Sequence, residues 1–256
     1  MELPKTSEDL ESDVSSNDVS GNDVSGDDVS GSDVSGDDVQ GDDVYVPPTV
    51  SLDVKNIYQN PELPNGCEVV SLTIVMNYEG IEVDKLEMAD DYLPKSKTLD
   101  EDPNVYYLRN PRNNGFYCYA GPIVKTVENY IEATGFTYID VCDLTDCEPT
   151  DLYSYLEKGH PLVVWGTLLW YWPYKYDSGL YANLHCMVLS GVSEETVTIT
   201  DPVYGIYVLE REKFEEIWAA MGKRAVTVSI NKERYELWNL KMHREAGTPG
   251  TAMEQQ

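Results

Sequence analysis

A five-residue repeat does most to limit what this chain can fold into. It fills residues 12–46 as SDVSS, NDVSG, NDVSG, DDVSG, SDVSG, DDVQG and DDVYV. Each unit offers one valine among Asp, Ser, Gly and Asn. That is too little apolar area to offset the entropy of ordering the chain, and the carboxylates repel one another. The segment is therefore expected to be an extended linker or stalk, closed by Pro47–Pro48. Its regularly spaced Asp match neither the period of calcium-binding β-rolls nor an EF-hand loop, so only weak cation association is expected. Residues 1–49 read as a disordered acidic linker, residues 50–232 as the folded domain, and residues 233–256 as a C-terminal extension and tail.

The same repeat explains much of the charge. The chain has 46 acidic and 18 basic residues, a net charge of −28, and the first 50 residues hold 14 of the acids against a single Lys. Nucleic acid is excluded as a main partner, because its binders need a basic footprint. No stretch approaches the ~20 apolar residues of a membrane span, and Met1–Lys5 lack the start of a signal peptide. An anionic stalk before a compact domain fits an extracellular or cell-surface protein, with association to the cell wall and an export signal outside this sequence. A cytoplasmic enzyme with a solubilising tail is the alternative. The five cysteines form no CxxC pair, and His160, His185 and His243 have no zinc-like spacing, so neither metal nor cofactor is expected. Cys142 and Cys147 are close enough for a disulfide across a turn.

From Val50 the pattern is that of a folded domain. VSLDVKNIY reads as a strand. CEVVSLTIVMNYEG reads as a buried helix from Cys67 to a stop at Gly80, and IEVDKLEMADDYL as an amphipathic helix. Residues 95–118 are loop-like. AGPIVKTVENYIEATG is a third helix and TDLYSYLEKG a fourth, opened by a Thr/Asp cap. PLVVWGTL, NLHCMVLSGV, ETVTITDPV, YGIYVLE and RAVTVSI then read as strands, with the helix FEEIWAAMG between the last two; LKMHREAGTPGTAMEQQ loses periodicity and is expected to fray. Helices first and antiparallel strands second define an α+β class.

Four residues could carry chemistry. Cys67 opens a buried helix, where N–H groups and the dipole favour a thiolate, although a free Cys is also commonly buried without any reaction to perform. His185 is the one histidine inside a core strand, sharing a face with Met187 and Leu189. Asp201, sixteen residues on at the end of the next strand, can reach it across a hairpin and fix its tautomer, or can serve as a turn former before Pro202. Gln59 lies eight residues before Cys67, across a Pro-rich loop, and its amide can join the Cys67 N–H as an oxyanion donor.

The segment Gln59-Asn-Pro-Glu-Leu-Pro-Asn-Gly-Cys67-Glu-Val-Val-Ser-Leu resembles the Gln…Cys segment of papain-like cysteine peptidases of the bacteriocin-processing, double-glycine-leader family. It is more similar still to the stand-alone C39-like relatives of that family. GHPLVVW, NLHCMVLSGV and ITDPVYG follow in the matching order, so the likeness spans about residues 50–230. The resemblance implies a papain-like fold with Cys67 as nucleophile, His185 as general base and acid, Asp201 as its orienting partner and Gln59 as oxyanion donor. It implies action on a peptide or isopeptide bond through a thioester, and a monomer is expected. The chain departs from the transporter-linked enzymes, which carry Asp-Cys-Gly where it has Gly66-Cys67-Glu68, and it has no phosphate-binding Gly-Lys-Ser/Thr loop. Transglutaminase or deamidase chemistry, and a silent binding domain of the same fold, are the rival readings. Seven Tyr and Trp lie between Trp165 and Tyr181, and Trp170, Tyr171, Trp172 and Tyr174 among them are expected to wall a substrate groove.

Overall fold

The structure is a computed structural model and describes Pro47 and residues 49–245. The expectations for the acidic repeat and for residues 246–256 lie outside the described residues. The architecture is a twisted antiparallel sheet with helices on both faces. The elements run β1 (Val50–Ser51), α1 (Cys67–Tyr78), α2 (Lys85–Glu87), a π-helical turn (Met88–Tyr92), α3 (Ala120–Thr134), β2 (Ile139–Asp143) and α4 (Pro149–Glu157). They continue as β3 (Leu162–Thr167), a 3₁₀ turn (Leu168–Trp170), β4 (Leu184–Val192), β5 (Thr196–Asp201), β6 (Gly205–Glu210), α5 (Arg211–Ala220), β7 (Ala225–Ile230) and α6 (Lys232–Glu245). The strand order is β2-β7-β3-β4-β5-β6, with β1 on β4.

The central strands have both faces covered, which is why they read as apolar runs. Along β3 and β4 successive side chains alternate between two cores. Val163, Trp165, Cys186 and Val188 meet α1 and α3 on one face. Leu162, Val164, Met187 and Leu189 meet α4 and α5 on the other. Helix α1 is buried over ten of its twelve residues, Cys67 to Met76, and lies directly on β4. Helix α3 ends where Gly135 takes a left-handed φ of 73° and its N–H returns to Ile131.

Five local expectations are corrected. The first strand contributes only Val50 and Ser51, because they pair with Val192 and Gly191 beyond Leu189, and β3 holds β4 from Leu184 up to Leu189. The second helix is a single turn, capped by Asp84 accepting from the Leu86 and Glu87 N–H groups, that runs into the π-helical turn. Helix α4 starts earlier than expected, from a Glu148 cap with Pro149 next and Asp151 completing a reciprocal capping box. Strand β2 has no counterpart in the sequence reading; its pairing with β7 extends the sheet. Residues 240–245 are helical rather than frayed, because α6 seats Tyr235 and Trp238 against Phe136 and Tyr138. All five cysteines are free, so Cys142 and Cys147 form no bridge.

Leu72 on α1 is fully buried. Leu72→Ala is expected to cost about 2–5 kcal/mol, read as a lower urea midpoint at unchanged m-value.

Candidate active site

Cys67 is the first residue of α1, and Gly66 is its cap. The preceding loop is held at several points. The Gln59 N–H donates to the Pro202 carbonyl at 2.9 Å, Leu63 N–H to the Gln59 carbonyl, and Gly66 N–H to the Leu63 carbonyl. The Tyr107 hydroxyl donates to the Asn65 carbonyl. These bonds fix where α1 begins, and the opening N–H groups of a helix have no intrahelical acceptors. Gln59 is buried, and its Nε2 donates to the Pro64 carbonyl at 2.8 Å.

On the sheet, β4 and β5 are antiparallel neighbours with Val188 opposite Thr200. That register brings His185 and Asp201 together at the end of the sheet. His185 Nε2 donates to Asp201 Oδ1 at 2.9 Å, with both side chains almost completely buried. The same oxygen accepts the Val203 and Tyr204 N–H groups at 2.7 and 3.1 Å. Oδ2 accepts the Tyr207 hydroxyl at 3.2 Å, and that hydroxyl accepts Trp170 Nε1 at 3.0 Å. Burial alone would raise the Asp201 pKa, but the His185 bond and the two N–H groups outweigh it and hold the carboxyl below its usual range. With Nε2 committed to the carboxylate, the imidazole has Nδ1 left as its basic nitrogen.

Gln59, Cys67 and His185 line one cleft of about 390 Å³. Its far wall is aromatic: Phe116, Tyr117, Tyr176 and Tyr181, with Leu168 and Val203. Phe116 and Tyr176 are packed with ring centroids 5.9 Å apart, and Tyr181 N–H donates to the Tyr117 hydroxyl. The aromatic insertion thus reaches the cleft through Tyr176 and Tyr181, not through the four residues expected. Trp170 turns inward onto Phe214 and is 5% exposed. It fills the space over Gly166, where a Cβ would lie 2.9 Å from the Trp170 ring. Trp172 and Tyr174 border a separate depression with Pro173, Lys175, Glu216 and Ala219. Tyr171 is exposed. Density of Tyr and Trp marked the segment, but which side chain faces the cleft depends on the left-handed backbone at Leu169 and Trp170, φ 55° and 57°. Phe116 and Tyr117 come from a stretch that reads only as loop.

Glu68 carries no signal in the sequence beyond following Cys67. It is fully buried. Its Oε1 accepts the Cys118 N–H at 3.0 Å and its Oε2 accepts the Cys67 thiol at 3.3 Å. Burial lifts its carboxyl from 4.5 to about 7. Burial likewise pushes the Cys67 thiol well above its ordinary range, and the Glu68 charge adds to this. No group of residues suited to holding a metal occurs among the described residues.

A carboxyl with a raised pKa binds its proton more tightly in the folded state, so it removes stability as pH rises from its unfolded to its folded value. Wild type is expected to lose about 3 kcal/mol relative to Glu68→Gln between pH 4.5 and about 7. Urea unfolding of both proteins across that window measures it.

The model of the peptidase C39-like family matches residues 51–226. YvpB of Bacillus subtilis is 31% identical over 183 residues, covering 66% of this chain and 70% of YvpB. A solved structure described as a C39-like peptidase from Bacillus anthracis is 30% identical, with a TM-score of 0.60, covering 70% of this chain and 96% of that one. The sheet and its helices are the papain-like fold of these peptidases, and the chain belongs to the peptidase C39-like family.

Proposed function

We propose that the protein is a cysteine peptidase that hydrolyses a peptide or isopeptide bond through a thioester on Cys67. The observation that carries the reading is the buried 2.9 Å bond from His185 to Asp201, made by a histidine that lines the same cleft as Cys67 and Gln59. A structural histidine could be buried without facing a cleft that also holds a thiol at a helix start.

In this reading His185 Nδ1 takes the Cys67 proton and the sulfur electron pair attacks the carbonyl carbon. The oxyanion is held by the Cys67 N–H and by the Gln59 amide, whose second Nε2 hydrogen is not used by Pro64. The imidazolium, stabilised by Asp201, then protonates the leaving amine and the C–N bond breaks. Water, deprotonated by His185, attacks the thioester, and Cys67 leaves with its proton restored. Asp201 orients the ring throughout and, with donors on both oxygens, does not itself change protonation.

The aromatic wall suits an extended peptide, which can lay side chains against Phe116, Tyr176 and Tyr181. Removing residues 171–178 takes away Tyr176 and is expected to raise KM more than it lowers kcat; an unchanged KM on a true substrate would discard the wall.

Digestion of a peptide library is the direct test. Cleavage is expected with wild type and none with Cys67→Ala or His185→Ala, while Gln59→Ala is expected to lower kcat about 10²–10³-fold. A labelled amine is included as a competing acceptor. Amine incorporation in place of hydrolysis would reassign the site to transglutaminase-type transfer. Identical digests from wild type and Cys67→Ala would leave a binding domain with no turnover.

A further inference from the structure

Glu68 is a buried carboxyl, hydrogen-bonded to the nucleophile, that the mechanism above does not use. Its side chain is fully buried and bridges two elements, accepting from the Cys67 thiol at 3.3 Å and from the Cys118 N–H at 3.0 Å. Cys67 is its neighbour on α1, and Tyr107 and Cys118 in the loop before α3 and Cys186 on β4 lie near enough for its charge to push their pKa values up. Asp201 acts on the same thiol. Thiols, a phenol and carboxyls make up this set, and the described residues put no cation in direct contact with Glu68.

Two anions 3.3 Å apart in such a setting repel strongly. While Glu68 is ionised, the proton shared with Cys67 therefore stays on sulfur, where it is hydrogen-bonded to the carboxylate and kept from His185. Once Glu68 is a neutral acid, its O–H can donate to sulfur, and a thiolate becomes compatible with the site.

We propose that Glu68 is a further catalytic residue, a second acid–base partner of Cys67: as the carboxylic acid it donates to the thiolate and permits attack, and as the carboxylate it holds the proton on sulfur. The step balances without a co-reactant. The S–H proton passes to His185 Nδ1, the sulfur electron pair goes to the carbonyl carbon, and Glu68 keeps its own proton as hydrogen-bond donor. Burial, which lifts this carboxyl to about 7, sets the exchange between the two states near neutral pH. The consequence is a nucleophile that weakens as the solution turns alkaline, the reverse of a simple thiol.

The proposal rests on Cys67 being the nucleophile, and the experiment separates the two ideas. The full chain is alkylated with iodoacetamide from about pH 6 to about pH 9, and modification of Cys67 and Cys142 is followed by peptide mass. Wild-type Cys67 is expected to react faster than Cys142 below the transition and to slow by about tenfold per pH unit above it. Glu68→Gln retains an acceptor for the Cys118 N–H and gains an amide donor toward sulfur, so its Cys67 is expected to lose that decline. A purely structural Glu68 would leave the shape of the pH profile unmoved, and superimposable profiles for the two proteins overturn the proposal. If Glu68→Gln does not fold, wild type decides alone: a rate at Cys67 that rises steadily across the range overturns it. If Cys67 reacts no faster than Cys142 at any pH, the peptidase reading itself fails.

Discussion

The burial of α1 is the constraint on which the rest depends. A helix with ten of twelve residues buried must be covered on all sides, and this chain does it with the sheet below, α3 and the π-helical turn beside, and the long loop before α3. A helix so enclosed has no freedom to tilt or slide without opening cavities in close-packed surroundings. Its first residue is therefore fixed against the end of β4 with the accuracy of the core. Cys67 needs no mobile loop to carry it, and Gln59 is fixed to the same frame through the backbone bond to Pro202, the residue after Asp201.

The sheet supplies the other half by register. His185 and Asp201 occupy neighbouring antiparallel strands on the face shared with Met187, Leu189 and Tyr207. A one-residue slip of β4 would turn His185 to the face opposite Asp201, and the continuous apolar packing of β4 forbids that slip. Asp201 then sits on a turn whose N–H groups converge on its carboxylate. The anion is thereby stabilised where the imidazole can use it, although full burial would otherwise favour its neutral form.

Much of this was legible in the chain because it is periodic. Buried runs and capping glycines gave the helices α1 and α3, apolar runs gave β3 and β4, and alternation gave β5. The same periodicity put Cys67 at a helix start and aligned His185 with Met187. What was not legible depends on contacts distant in sequence. Strand β2 exists because β7 offers an edge, and α6 persists past Leu240 because Trp238 has Phe136 and Tyr138 to pack on. Aromatic density located the insertion, but composition has no direction, so Trp170 and Tyr176 looked alike although one faces inward and the other the cleft. Glu68 would ordinarily be read as exposed; its burial follows only from the loop that closes over α1.

The pairing of Gly166 with Trp170 also restricts how this domain can diverge. The indole occupies the volume that any side chain at 166 would need, and its N–H ends in the hydroxyl that touches the Asp201 carboxylate. A substitution at 166 cannot be accommodated one step at a time: the ring must first shrink, and shrinking it leaves Tyr207 without its donor. Lineages of this fold are thus expected to exchange the two positions together or keep both, so that variation in the exposed aromatic arm can proceed freely while its root stays fixed.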